Sequence, residues 1–396
     1  MKDYFLLLIL VFLQGSCASM GAGTPGDTCD TGLFLINGNF PGGRLGSCKV
    51  IDANHVVLNN QPEDKPPINH SPWYGFRIQG EPGPLYIRIN YSIHQHRYWP
   101  KIRVGDKATK WSNLPEDRVK VVNNGRSVEI ELQIGKSPVW VSAQENLDSD
   151  WYENWLADIT KNVPGAELSS IGTSLGGREI LALQTNPTAT DILLLVGRQH
   201  PPEVTGAIAL RAFLDQLLEG QRDKCDDAQS LCTFFANTNV VLIPNLNPDG
   251  VALGHWRNSL GHIDLNRDWG IFSQPETRAV EGLINQLVEN GKHIRLFLDF
   301  HSTQFNLFYT QSETEQTDPA GFSTRWLAMA KANGVYEFSQ QRRHNEGSPT
   351  AKNYMFARFG IPSITYEVGD ETDRDEISSS ARIFARTMIK ALGEKD

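Results

Sequence analysis

The sequence has no excess of positive charge. Its 37 Lys and Arg residues are outnumbered by 46 Asp and Glu, which leaves a net charge of −9 over 396 residues. A nucleic-acid binder needs a basic footprint to displace counterions from phosphates, so that class is set aside. Long apolar runs are also missing. The stretch Phe5 to Leu13, behind Lys2, covers nine residues, whereas a membrane-spanning helix needs about 20. No other stretch is long and apolar enough to span a bilayer. The small residues Gly15, Ser16, Cys17, Ala18 and Ser19 follow, so residues 1–19 read as an export signal and predict a periplasmic, secreted or lipid-anchored protein. Cysteine is scarce, with five in all. Cys17 lies in the signal region, where it is either removed with the signal or accepts a lipid, although Gln14 stands where a lipoprotein signal has Leu. The other four allow three connectivities, of which the sequence-local pairs are Cys29–Cys48 and Cys225–Cys232.

Composition is otherwise that of a globular protein, with 40% hydrophobic and 21% charged residues. The chain divides into two regions of different pattern. From about 28 to 145 it reads as β. Leu85, Ile87, Ile89, Tyr91 and Ile93 alternate with more polar neighbours, as do Val128, Ile130, Leu132 and Ile134. Asn123-Asn124-Gly125 is a turn between two strands. A small antiparallel sandwich or barrel is expected there. From about 150 to 394, short apolar runs (Ile192–Val196, Val240–Ile243, Leu296–Phe300, Ile364–Val368) alternate with helical patterns. Ile377, Ala381, Phe384, Met388 and Leu392 form one helical stripe of core residues. This alternation predicts an α/β domain with a mixed or largely parallel sheet, whose ligands bind at the carboxyl ends of the strands.

Those strand ends carry chemistry. His200 follows an apolar strand, and Glu203 opens a helix after Pro201-Pro202, a tight turn that lets imidazole and carboxylate converge. His301 ends a second strand in Asp299-Phe300-His301-Ser302. Two His and one carboxylate leave an open position for water on a tetrahedral zinc. Glu367 ends the last strand, where a carboxylate can act as general base. A lone His at a strand end is usually a hydrogen-bonded core residue, but three strand ends with the right residue types are hard to explain as packing. Between them lie anion binders: Asn247-Pro248-Asp249-Gly250, His255-Trp256-Arg257 and Asp264-Leu265-Asn266-Arg267-Asp268.

The order His-x-x-Glu, Asn-Pro-Asp-Gly, Asn-Arg, Asp-x-His-Ser and a late strand Glu resembles the M14 zinc carboxypeptidase family over roughly residues 150 to 394. The β region, through Phe40-Pro41-Gly42-Gly43-Arg44, resembles the N-terminal domain of that family's cytosolic-carboxypeptidase branch. The resemblance implies one zinc held by His200, Glu203 and His301. It makes Glu367 the base that activates water and Arg257 the group that polarises the scissile carbonyl. Asn266 and Arg267 would grip the substrate's terminal carboxylate, and Asp264 would hold His200. The substrate would be a peptide or protein C-terminus. Counting back from Glu367 to the family's specificity position reaches Lys352, or Asn353 with a one-residue slide, and Lys352 there implies a preference for acidic C-terminal residues. One piece departs from the pattern: the stretch from Glu337 to Asn353 has no Tyr where many members carry one on a loop, and His344 lies near that place. Two other functions use the same residues. One is a zinc amidohydrolase acting on cell-wall peptides or N-acyl amino acids. The other is a non-catalytic binding protein on the same fold, against which the complete ligand set and Glu367 argue.

Overall fold

The computed structural model describes residues 28–222, 234–343 and 347–393. Alternation of apolar and polar side chains builds two sheets before residue 143. One runs in the order Thr28–Asp30, Phe34–Asn37, Gly75–Gly80, Val139–Ser142, Lys101–Val104, Ser112–Asn113. The other runs Ser47–Val50, His55–Asn60, Gly83–Tyr91, Ser127–Ile134, Val119–Val122. Leu85, Ile87 and Ile89 lie opposite Leu132, Ile130 and Val128, and all six are buried. Their polar neighbours take the other face. Pairing is antiparallel except where His55–Asn60 runs parallel to Gly83–Tyr91. Alternation has the same period in both directions, so it does not reveal that exception. A Cys29–Cys48 disulfide ties a strand of one sheet to a strand of the other. Cys225 and Cys232 fall outside the described residues, as do Cys17 and the whole of residues 1–19.

The third sheet has eight strands in the order Glu167–Thr173, Glu179–Gln184, Thr238–Ile243, Asp191–Gly197, His293–Thr303, Ser363–Gly369, Leu307–Thr310, Ser339–Arg342. The middle four are mutually parallel, and antiparallel pairs flank them. The apolar run at 192–196 is buried on both faces. Leu193 and Leu195 join the core that contains helices Val204–Arg222 and Arg374–Gly393. Ile192, Leu194 and Val196 join a second core under helices Pro275–Glu289 and Ala351–Phe359. The result is helix, sheet, helix. Ile377, Ala381, Phe384 and Met388 are buried as the helical stripe predicts. The first of these cores continues without a break into the β sheets.

Candidate active site

All the strand-end candidates gather at the carboxyl edge of the parallel strands. Strand Asp191–Gly197 leads into His200, and the turn Pro201-Pro202 delivers Glu203 to the start of helix Val204–Arg222. That helix sits directly on the strand bearing His301. A Cβ on Gly206 would lie 2.5 Å from the His301 carbonyl oxygen. Instead the Gly206 N–H donates to Ser302 Oγ at 2.9 Å. The close seat brings Glu203 between two imidazoles. Its Oε1 is 2.8 Å from His200 Nδ1, and its Oε2 is 2.6 Å from His301 Nδ1.

The two Nδ1 atoms are 3.1 Å apart. Ring nitrogens so close need a shared proton or a shared cation between them. A tetrahedral zinc with bonds of about 2 Å sets its ligands about 3.3 Å apart, so the donor set fits. The outer nitrogen of each ring is also engaged: His200 Nε2 with Asp264 Oδ1 at 2.9 Å, and His301 Nε2 with Asp299 Oδ2 at 2.8 Å. Carboxylates in that position fix ring orientation and raise ligand basicity. His200, Glu203 and His301 are the group that could hold a metal ion among the described residues. Burial opposes ionisation of Glu203, but the two imidazoles hold its carboxyl well below the usual range.

Glu367 is the register partner of His301 on the neighbouring strand. Its Oε2 is shut away from solvent with no hydrogen-bond partner. Burial pushes this carboxyl up to about 7, with His301 pulling it down and Glu203 pushing it up. Arg257 places Nε and one terminal nitrogen on Asp264 Oδ2, each at 2.9 Å, and the other 3.4 Å from Glu203 Oε1. Burial would raise the Asp264 carboxyl, but His200 and Arg257 hold it far below the ordinary range.

A cavity of about 260 Å³ opens beside these groups. Asn266 and Arg267 line it. The Asn266 amide accepts from Ala351 N at 2.9 Å and lies 3.3 Å from His301 Nε2. Arg267 gives one N–H to the Asn266 carbonyl at 2.7 Å and is otherwise exposed in the cavity mouth. Lys352 lines it too. The Lys352 ammonium donates to the carbonyls of Arg343 (3.0 Å) and Thr310 (3.4 Å), and burial pushes it down to about 8 against the pull of Glu315.

Other lining residues carry no signal in the sequence. Asn69, Ser71 and Arg97 come from the β region. Arg97 reaches Asp370 Oδ2 at 2.8 Å, three residues beyond Glu367. Tyr309 also faces the cavity, with the Arg343 guanidinium stacked 4.4 Å from its ring centre. It is the tyrosine that lines the same cavity as the base, although the family pattern directs attention to a later loop. His344 lies outside the described residues.

Comparison with known proteins gives the same family. The chain is 33% identical to human cytosolic carboxypeptidase 2 over 155 residues, 36% of this chain and 16% of that one. It is 32% identical to cytosolic carboxypeptidase 6 of Caenorhabditis elegans over 282 residues, 67% of this chain and 58% of that one. The chain therefore spans well under two thirds of the length of these curated relatives. A metallo-carboxypeptidase from Burkholderia cenocepacia has the same fold, with a TM-score of 0.76 at 16% identity, covering 91% of this chain and 99% of that one.

These relatives overturn the expectation of an exported protein, since several carry the name cytosolic carboxypeptidase. A Lys followed by nine apolar residues is a short pattern that many N-termini satisfy, and it outweighs no homology. No helix among the described residues is long and apolar enough to cross a membrane. The Zinc carboxypeptidase family (Peptidase_M14) matches residues 152–384, from within helix Ser149–Asn162 into helix Arg374–Gly393, and the chain belongs to that family.

Proposed function

We propose that the protein hydrolyses the C-terminal peptide bond of peptides and prefers an acidic last residue. The observation that carries the preference is the charge of the cavity. Arg97, Arg257, Arg267, Arg343 and Lys352 line one space of about 260 Å³ in a chain of net charge −9. A C-terminal Glu or Asp brings two carboxylates into that space, one from the main chain and one from the side chain.

In this reading His200, Glu203 and His301 hold one zinc, which when bound supplies Lewis acidity at the scissile carbonyl and lowers the pKa of water. Glu367 takes the proton from the attacking water and passes it to the leaving amine. A carboxyl that burial raises toward neutrality is suited to both transfers. Arg257 donates toward the carbonyl oxygen as that atom gains charge. Arg267 and Asn266 hold the terminal carboxylate, and the Lys352 ammonium meets the acidic side chain. The names of the curated relatives support a cytoplasmic setting.

The test is a set of blocked dipeptides that differ only in the last residue, run with and without a chelator. Faster turnover of Glu and Asp ends than of Leu, Phe, Lys or Arg, abolished by chelation, is expected. A preference for aromatic or basic ends rejects the acidic pocket. Turnover that survives complete metal removal rejects the metal site.

A further inference from the structure

Three consecutive backbone N–H groups, those of Trp256, Arg257 and Asn258, point at a single carboxylate that comes from the β region. Glu63 Oε2 accepts from Trp256 N at 2.7 Å, and its Oε1 accepts from Arg257 N at 2.9 Å and from Asn258 N at 2.7 Å. The next residue extends the grip. Asp64 accepts from Asn258 Nδ2 and faces His262 Nδ1, each at 2.6 Å. Trp256 is fully buried, its ring 6.4 Å from that of Tyr91 in the β sheets. The segment that carries Arg257 is thus fixed from outside the α/β layers, by residues 193 to 198 positions away in sequence.

We infer that Glu63 is a positioning residue for Arg257, and that the β region completes the active site in this way. The inference rests on the role given above to Arg257. A long side chain is aimed from its Cα. Asp264 holds the guanidinium end of Arg257, and Glu63 holds the backbone end. Hydrogen bonds from amides to an ionised carboxylate are short and roughly twice as strong as neutral ones. Consecutive N–H groups turned to one side form an anion-binding nest. Removing the carboxylate leaves three donors without it and frees the segment to shift. A displacement of about 1 Å at a reacting centre can cost about 100-fold in rate.

The experiment is a cycle of single and double variants of the zinc-loaded full chain, assayed on a blocked dipeptide ending in Glu, with zinc content and melting temperature recorded. Glu63→Ala and Glu63→Gln are compared with Arg257→Ala, alone and combined. The Gln side chain keeps the shape of Glu but presents a donor to one of the N–H groups, so it decides the matter if the Ala variant does not fold. Either Glu63 variant should lower kcat by about 10- to 100-fold, with KM within about 2-fold of wild type and zinc retained. On the Arg257→Ala background the same change should alter kcat by less than about 2-fold, because Glu63 acts through that arginine. Equal losses on both backgrounds, a loss in KM alone, or an undiminished kcat would overturn the inference. A silent Arg257→Ala removes the role of Arg257 itself and this inference with it. A costly Arg257→Ala beside a silent Glu63→Gln removes the role of Glu63 alone.

Discussion

Glu367 stands opposite His301 in the register of two adjacent parallel strands, Ser363–Gly369 and His293–Thr303. Register partners present their side chains to the same face. A candidate base and a candidate metal ligand are therefore spaced by the sheet itself, which is more rigid than a loop and suits a site that must keep its geometry.

The donor set predicts its own response to truncation. His200→Ala or His301→Ala should retain less than about a tenth of the zinc of wild type after dialysis, since each removes one of three protein ligands. Atomic absorption on the dialysed proteins checks this. Full occupancy in both variants would show that the metal is held elsewhere.

Gly206→Ala tests the close seat of helix on strand. The new methyl would lie 2.5 Å from the His301 carbonyl oxygen and 3.0 Å from its nitrogen. The contact is with backbone, so the helix must move and carry Glu203 with it. A loss of about 1–3 kcal/mol in stability is expected, together with weaker zinc binding. Chemical denaturation and a metal titration measure the two effects. Unchanged values for both would show that the seat gives way freely.

The pairing of Arg97 with Asp370 joins the β region to the end of the base-bearing strand, and both side chains are about nine-tenths buried. Burial pushes Asp370 up to about 6, with Arg97 pulling it down. Arg97→Ala leaves a buried carboxylate uncompensated, at a cost of about 3–5 kcal/mol. Adding Asp370→Asn should recover part of that loss. Urea denaturation of wild type and the two variants decides. A single variant within about 0.5 kcal/mol of wild type would mean the pair contributes little.

Lys352 predicts a pH dependence of specificity. Burial lowers its ammonium to about 8. The group is charged below that value and neutral above it. The advantage of a C-terminal Glu over Leu, measured as a ratio of kcat/KM, should therefore fall as pH rises through about 8. Lys352→Met should show a small ratio at every pH. A ratio that is flat across this range in wild type would remove Lys352 from side-chain recognition.

Much of this site was legible because its parts are local. His200 and Glu203 need only a two-residue turn, and His301 and Glu367 need only the ends of apolar strands. Asp264, Asn266 and Arg267 share one short segment, so a motif carries all three. Glu63, Asp64, Arg97 and Tyr309 left no such trace. The partners of Glu63, Asp64 and Arg97 lie far off in the chain, and neither periodicity nor spacing encodes a contact made by docking the β region on the α/β layers. The strand alternation of the β region showed which faces are buried, but not which neighbours run parallel. The export reading failed for a related reason: it rested on a short apolar run, the small residues behind it and the cysteines, with no tertiary context, where the likeness to a protein named cytosolic carboxypeptidase extends over 282 residues.

The most direct test of the account is the kcat of wild type and Glu367→Gln on a blocked dipeptide ending in Glu, with zinc measured in the same samples. Gln is nearly isosteric with Glu but cannot take a proton from water. Wild type should turn the dipeptide over, and the variant should hold the same zinc and fold while losing at least about 100-fold in kcat. A zinc-loaded wild type that leaves the peptide bond intact, or a variant with near-normal kcat, would contradict the account.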